Sequence, residues 1–374
     1  MAQKTLDVEL ILFDILDDIF KYLSLKDLYQ VALVCKSWNN TASKEISRRS
    51  DIENFILPIT RTKDNSQLSM CHLTDAVRSF PRLVLLFSDG KSPPCDDIED
   101  ICVYQCKCME RKTNFINIAA QGIAVNDTQI VGQDNVEVGI TIPYPNKINK
   151  LKIDYFLPED EVLLIHKAQN SLESYVKDAY KDLVTSEEDH NCFIFFYSQS
   201  CLYTENCQRN SYIRKFTADL LTCIKQRHSV KTFTLWGGEI SSIITDFMGR
   251  DGILASSAFY LRLSGPGVKS WSLVIDSNAP NSEVKTRFEH LKKQLSVNRT
   301  TMALAMVPSK RDEPFEQLIS KVSMFRTAFP GIPLTTIFTG EEFFQIGFNS
   351  TNTEDPDPVL EHENSYSFLI FTTK

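Results

Sequence analysis

No run of apolar residues in this chain approaches the roughly 20 that a membrane span needs. The longest compact one, residues 193–197, suits a buried strand. A secretory leader is also missing. Asp7, Glu9, Asp14, Asp17 and Asp18 interrupt the apolar residues near the start, and no small-residue cleavage site follows. These absences predict a cytoplasmic and nuclear protein without membrane contact. There the ten cysteines stay mostly reduced, and the N-x-S/T sequons at Asn39, Asn126, Asn298 and Asn349 never meet the glycosylation machinery. An excess of positive charge is lacking too. The formal net charge of −8 argues against a broad grip on nucleic acid, which needs a basic face.

Signatures of chemistry are equally scarce. The pairs Gly237-Gly238 and Gly265-Pro266-Gly267 have neither the phosphate-loop nor the dinucleotide-binding layout and read as turns. The six histidines form no H-x-x-x-H pair, and Cys201 and Cys207 lack a recognisable catalytic context. Cys95, Cys102, Cys106 and Cys108 lie close together, but C-x6-C-x3-C-x-C is a poor match to the paired knuckles that zinc prefers. A loop with free thiols is the plainer reading. No cofactor and no catalytic residue are expected.

What is present is an ordinary globular composition, 43% apolar and 24% charged over 374 residues, enough for two domains. Glycine and proline are absent from residues 1–50. Leu12, Ile15, Leu16, Ile19, Phe20 and Leu23 form a helical stripe. Ser24 with Asp27 three residues on makes a capping-box-like start for a second helix, and a third short helix runs through Trp38. Residues 51–80 read as a connector. From residue 81 onward short strands alternate with helices at about 168–184, 207–227, 281–295 and 312–329, without a short internal repeat. The chain is therefore expected to be α+β or α/β: a three-helix N-terminal unit followed by a mixed, layered domain over 81–374.

The N-terminal text resembles the F-box. It carries Ile11-Leu12, Ile15-Leu16, the run Ile19-Phe20-Lys21-Tyr22-Leu23-Ser24-Leu25-Lys26-Asp27-Leu28, and Val34-Cys35-Lys36-Ser37-Trp38. The departure is Ile11-Leu12 in place of Leu-Pro, where proline pre-sets the first helical turn. A segment this short can hardly bury a core alone, so part of its apolar surface is expected to meet a partner. The resemblance implies that Leu12, Ile15, Leu16, Ile19, Leu23, Leu28, Val34 and Trp38 anchor a Skp1-type adaptor, and through it a cullin and a RING protein. It implies a non-catalytic substrate receptor of an SCF-type ubiquitin ligase that recruits target proteins for ubiquitination and proteasomal degradation.

Downstream, the chain resembles FIST (F-box and intracellular signal transduction) domains. The matching stretches include Gly122-Ile123-Ala124-Val125, Leu235-Trp236-Gly237-Gly238-Glu239, Phe329-Pro330-Gly331-Ile332-Pro333, Gly340-Glu341 and Ser365-Tyr366. Where relatives close a strand with a cysteine and a glycine-arginine turn, this chain has Met306-Val307-Pro308-Ser309-Lys310-Arg311. Strand ends are where α/β domains place sites, which makes Gly237, Gly238, Lys310, Arg311 and Gly340 candidates for cargo binding. The alternative is a small-molecule-sensing domain that gates a protein interaction.

Overall fold

The computed structural model describes residues 15–49, 52–58, 77–88, 113–126, 128–129, 136–143, 150–158, 171–185, 188, 190–198, 210–227, 232–246, 253–295, 301–309, 315–340, 343–349 and 361–373. The described residues open with three helices: α1, described over 15–20, α2 (Leu25–Ala32) and α3 (Lys36–Arg48). Eighteen strands follow among the described residues, β1 (Glu53–Pro58) through β18 (Ser365–Thr372), in three six-stranded mixed sheets. The class is α+β, as the alternation of periods predicts.

The three sheets repeat one plan. In the first, β1-β6-β2-β3-β10-β11, the middle pair β2 (Pro81–Ser88) and β3 (Asn114–Ala119) is parallel and every other pairing is antiparallel. The second, β7-β12-β8-β9-β16-β17, is built the same way around the parallel pair β8 (His190–Ser198) and β9 (Thr232–Ile240). The third, β13-β18-β14-β15-β4-β5, centres on β14 (Thr301–Ser309) and β15 (Leu334–Gly340). The chain thus contains three successive six-strand units. Each keeps four strands at home and sends its fourth and fifth to another unit's sheet: β4-β5 to the third sheet, β10-β11 to the first, β16-β17 to the second.

One face of every sheet meets a shared core that includes Leu85, Phe87, Ile194, Phe196, Trp236, Met306 and Leu369. The outer face of the second sheet is covered by helices Leu172–Leu183 and Asn210–Arg227, and that of the third by Asn281–Gln294 and Ser320–Ala328. The outer face of the first sheet packs Phe55, Val84, Leu86 and Phe115 against Val77 and Leu25 of α2. Strands covered on both faces read as nearly continuous apolar runs, which is why 193–197 is buried throughout.

Two details depart from the sequence reading, the first being that residues 53–58, read as part of a connector, form the edge strand β1. Gly237-Gly238 is not a turn: β9 runs through both glycines to Ile240. Their φ values are 138° and 152°, and a Cβ at Gly237 would lie 1.8 Å from the Phe195 carbonyl oxygen of β8. The glycines therefore serve a close approach of neighbouring strands. Strand β14 runs on through Pro308, opposite Thr339. Gly265 does stand in a turn, with φ 135° and its carbonyl accepting from Val268 N at 3.1 Å.

Candidate adaptor-docking surface

The helical start is fixed by local chemistry. Ser24 Oγ accepts from Asp27 N at 3.1 Å, and Asp27 Oδ2 accepts from Ser24 N at 3.4 Å, closing a capping box on α2. Asp17 Oδ2 takes Lys44 Nζ at 3.0 Å and lies 3.7 Å from Arg48 Nη1, joining α1 to α3. The Lys44 hydrogen bond holds the Asp17 carboxyl below the usual carboxylate range.

Two apolar stripes run along α1, one residue apart and therefore about 100° apart around the helix. Leu16 and Phe20 are sealed into a small cluster with Leu28 and Ala42, flanked by Leu23, Val31, Ala32, Trp38 and Ile46. Phe20 and Trp38 meet edge to face at 5.7 Å. The other stripe, Ile15, Ile19 and Tyr22, faces outward at 49%, 48% and 86% exposure. At the α2–α3 corner Leu33 and Val34 stand out at 86% and 63%. With Tyr29 of α2, 40% exposed, six large apolar side chains of this unit are thus left in water around the sealed cluster.

Of the residues the sequence nominates, Ile15, Ile19 and Val34 are on this outer surface. Leu16 and Leu28 are buried beneath it, while Leu23 and Trp38 are partly buried against the same cluster. Leu12 lies outside the described residues. Tyr22 and Leu33 were not nominated. Tyr22 is visible in the sequence as the third member of the i, i+4, i+7 series that starts at Ile15. Leu33 carries no such periodic signal, because it is the C-cap of α2.

The cargo-site nominees are more scattered. Gly238 opposes Gln345 of β16 (Gln345–Asn349), and Gly340 ends β15 and accepts from Phe343 N at 3.0 Å. The short connection from β15 to β16 therefore brings Gly340 and Gly238 to the same end of neighbouring sheets. Lys310 and Arg311 lie outside the described residues, as do Cys95, Cys102, Cys106 and Cys108. Among the described residues no cluster of histidine, cysteine and carboxylate is suited to a metal ion.

A polar group sits where β8 and β9 end beside the start of the Asn210–Arg227 helix. The Arg214 guanidinium lies 3.3 Å from the Phe344 ring centroid. It donates to Glu361 Oε2 through Nε at 3.2 Å and Nη2 at 3.1 Å. The buried Tyr197 hydroxyl is pushed up in pKa, first by burial and then by Glu361 and Glu239. It therefore stays protonated and is no base. Burial raises the Cys192 thiol to about 12, which removes it as a nucleophile.

In comparison with known proteins, residues 13–53 match the family model described as F-box-like. No curated protein sequence matches the chain. Among solved structures, one of cyanuric acid hydrolase, described as evolutionary innovation by structural concatenation, is similar at TM-score 0.43 and 10% identity, covering 87% of this chain and 99% of its own. A cyanuric acid hydrolase from A. caulinodans is similar at TM-score 0.40 and 7% identity, with coverage of 87% and 99%.

Proposed function

We propose that this chain is the substrate-recognition subunit of an SCF-type E3 ubiquitin ligase. Its F-box-like unit docks on a Skp1-type adaptor, which links to a cullin and a RING protein. Its FIST-like body holds target proteins. The observation that carries the reading is the outward stripe of Ile15, Ile19 and Tyr22 with Leu33 and Val34 beside it. Apolar and aromatic side chains clustered in one desolvated patch are where binding energy concentrates. No residue of the chain performs chemistry in this reading. The rate gain is proximity: bound cargo meets the ubiquitin thioester at a high effective concentration. The work is done in cytoplasm and nucleus.

The test is calorimetric titration of the full chain with a purified Skp1-type adaptor. Wild type binds. Ile19→Glu combined with Val34→Glu weakens binding about 100-fold or more, since two buried anchors contribute about 2 kcal/mol each and 1.4 kcal/mol is tenfold. Both residues are exposed in the free chain, so the thermal midpoint stays unchanged. An unbound wild type, or a double variant that binds like wild type, would falsify the reading.

A second reading, in which the body binds a small molecule that gates cargo, has support from the Tyr197, Glu361 and Arg214 group at the strand ends. There Tyr197 Oη and Glu361 Oε1 are buried without a hydrogen-bond partner among the described residues.

A further inference from the structure

We propose that Arg49 is a positioning residue that locks the F-box-like unit onto the body, so that the adaptor-docking stripe and the cargo-holding sheets move as one rigid piece. The proposal deepens the ligase reading and rests on it for its purpose, though the lock itself is independent of any partner.

The last residues of a helix leave carbonyl oxygens without intrahelical donors, and cations near that end are favoured by the helix dipole. Around the end of α1 those acceptors are taken by two arginines. Arg49 Nη2 donates to the Phe20 carbonyl at 2.8 Å, and Arg78 Nη2 donates to the Lys21 carbonyl. Arg49 also donates on both sides of the junction. Nε reaches Glu45 Oε1 of α3 at 2.9 Å, and Nη1 reaches the Arg78 carbonyl, just before β2, at 2.7 Å. Its side chain is only 7% exposed. One planar fork thus ties α1, α3 and the approach to β2, a geometry lysine cannot copy.

Two further contacts cross the same junction, and a third, on its body side, holds Arg78 in place. Leu25 N donates to the Val77 carbonyl at 3.1 Å. Arg78 N donates to Glu53 Oε2 of β1 at 2.9 Å. The Tyr29 and Phe80 rings meet edge to face at 5.5 Å. Beneath them Leu25 is fully buried among Phe55, Val84, Leu86 and Phe115. In the second and third sheets the corresponding outer face is covered by helices of that sheet's own unit. In the first sheet α2 takes part in this role, so the N-terminal unit is a piece of the fold and not a tethered attachment.

The test is single-molecule energy transfer on the full chain, with bio-orthogonal labels at exposed Asn40 of α3 and exposed Glu289 of the Asn281–Gln294 helix. An undocked reference carries ten Gly/Ser residues inserted after residue 50 together with Leu25→Asp. The expected result is one narrow distance distribution for wild type, a broad one for the reference, and measurable broadening for Arg49→Ala. Adaptor affinity, measured separately, changes less than threefold in Arg49→Ala. A wild-type distribution as broad as the reference overturns the proposal, even if Arg49→Ala fails to fold. An Arg49→Ala distribution matching wild type overturns the role of Arg49. Failure of the wild type to bind adaptor counts against the ligase reading and leaves the distance result intact.

Discussion

A methyl group on Gly237 has nowhere to go: its carbon would fall 1.8 Å from a backbone oxygen of the neighbouring strand, at a φ that side chains avoid. Gly237→Ala should therefore cost at least about 3 kcal/mol in a urea titration, from backbone strain plus displaced strands. Gly331→Ala is the contrast, since no heavy atom lies within 4 Å of its new Cβ, and it should stay within about 0.5 kcal/mol of wild type. A second residue-scale outcome concerns Cys192. Its thiol is raised to about 12 by burial, so a thiol reagent at pH 8 should modify exposed Cys35 and leave Cys192 until the chain unfolds. The unfolded thiol ionises from about pH 8.5. The stability gained by keeping Cys192 neutral is complete below that pH and is lost as pH rises toward 12. Cys192→Ala should flatten the alkaline slope of stability, read by denaturant midpoints between pH 8 and 11.

At the scale of single elements, the α2 cap offers a clean measurement. Ser24→Ala removes the acceptor for Asp27 N and should lower stability by about 1 kcal/mol, read as a shift in urea midpoint. This cap was legible in the sequence because a capping box is a local pattern, as were the helical stripe of α1 and most strand cores. The error at Gly237-Gly238 has a physical origin. Glycine is chosen both where a chain reverses and where another backbone presses close, and composition does not separate the two. The outward stripe was half legible. Ile15 and Ile19 repeat at helical spacing, but which of two adjacent stripes is sealed depends on α3, which places Trp38 against Phe20.

For the whole molecule, the threefold plan of sheets was invisible in the sequence. Equivalent strands share a role in the core but not residues: the parallel centres pair Phe87 with Ile118, Tyr197 with Glu239, and Val307 with Phe338. The exchange of strand pairs among sheets is also non-local, beyond any periodicity window. It has a measurable consequence. Trp236 reports on the second sheet and Trp271 on the edge of the third. Chains retaining only one of these tryptophans should give coincident urea transitions by fluorescence, because neither sheet is complete without strands from another unit. Transitions separated by more than about 0.5 M, large against slopes of 1–3 kcal/mol per M, would contradict this.

The strand exchange also sets a schedule for synthesis. A chain leaving the ribosome carries β1, β2, β3 and β6 early, yet their sheet waits for β10 and β11. The second sheet waits for β17, and β4 and β5 must wait for β15. No third of the polypeptide can close its own edges while the rest is being made. Half-translated chains should therefore be customers for chaperones, and a premature stop anywhere before residue 365 leaves open edges in place of a smaller working protein.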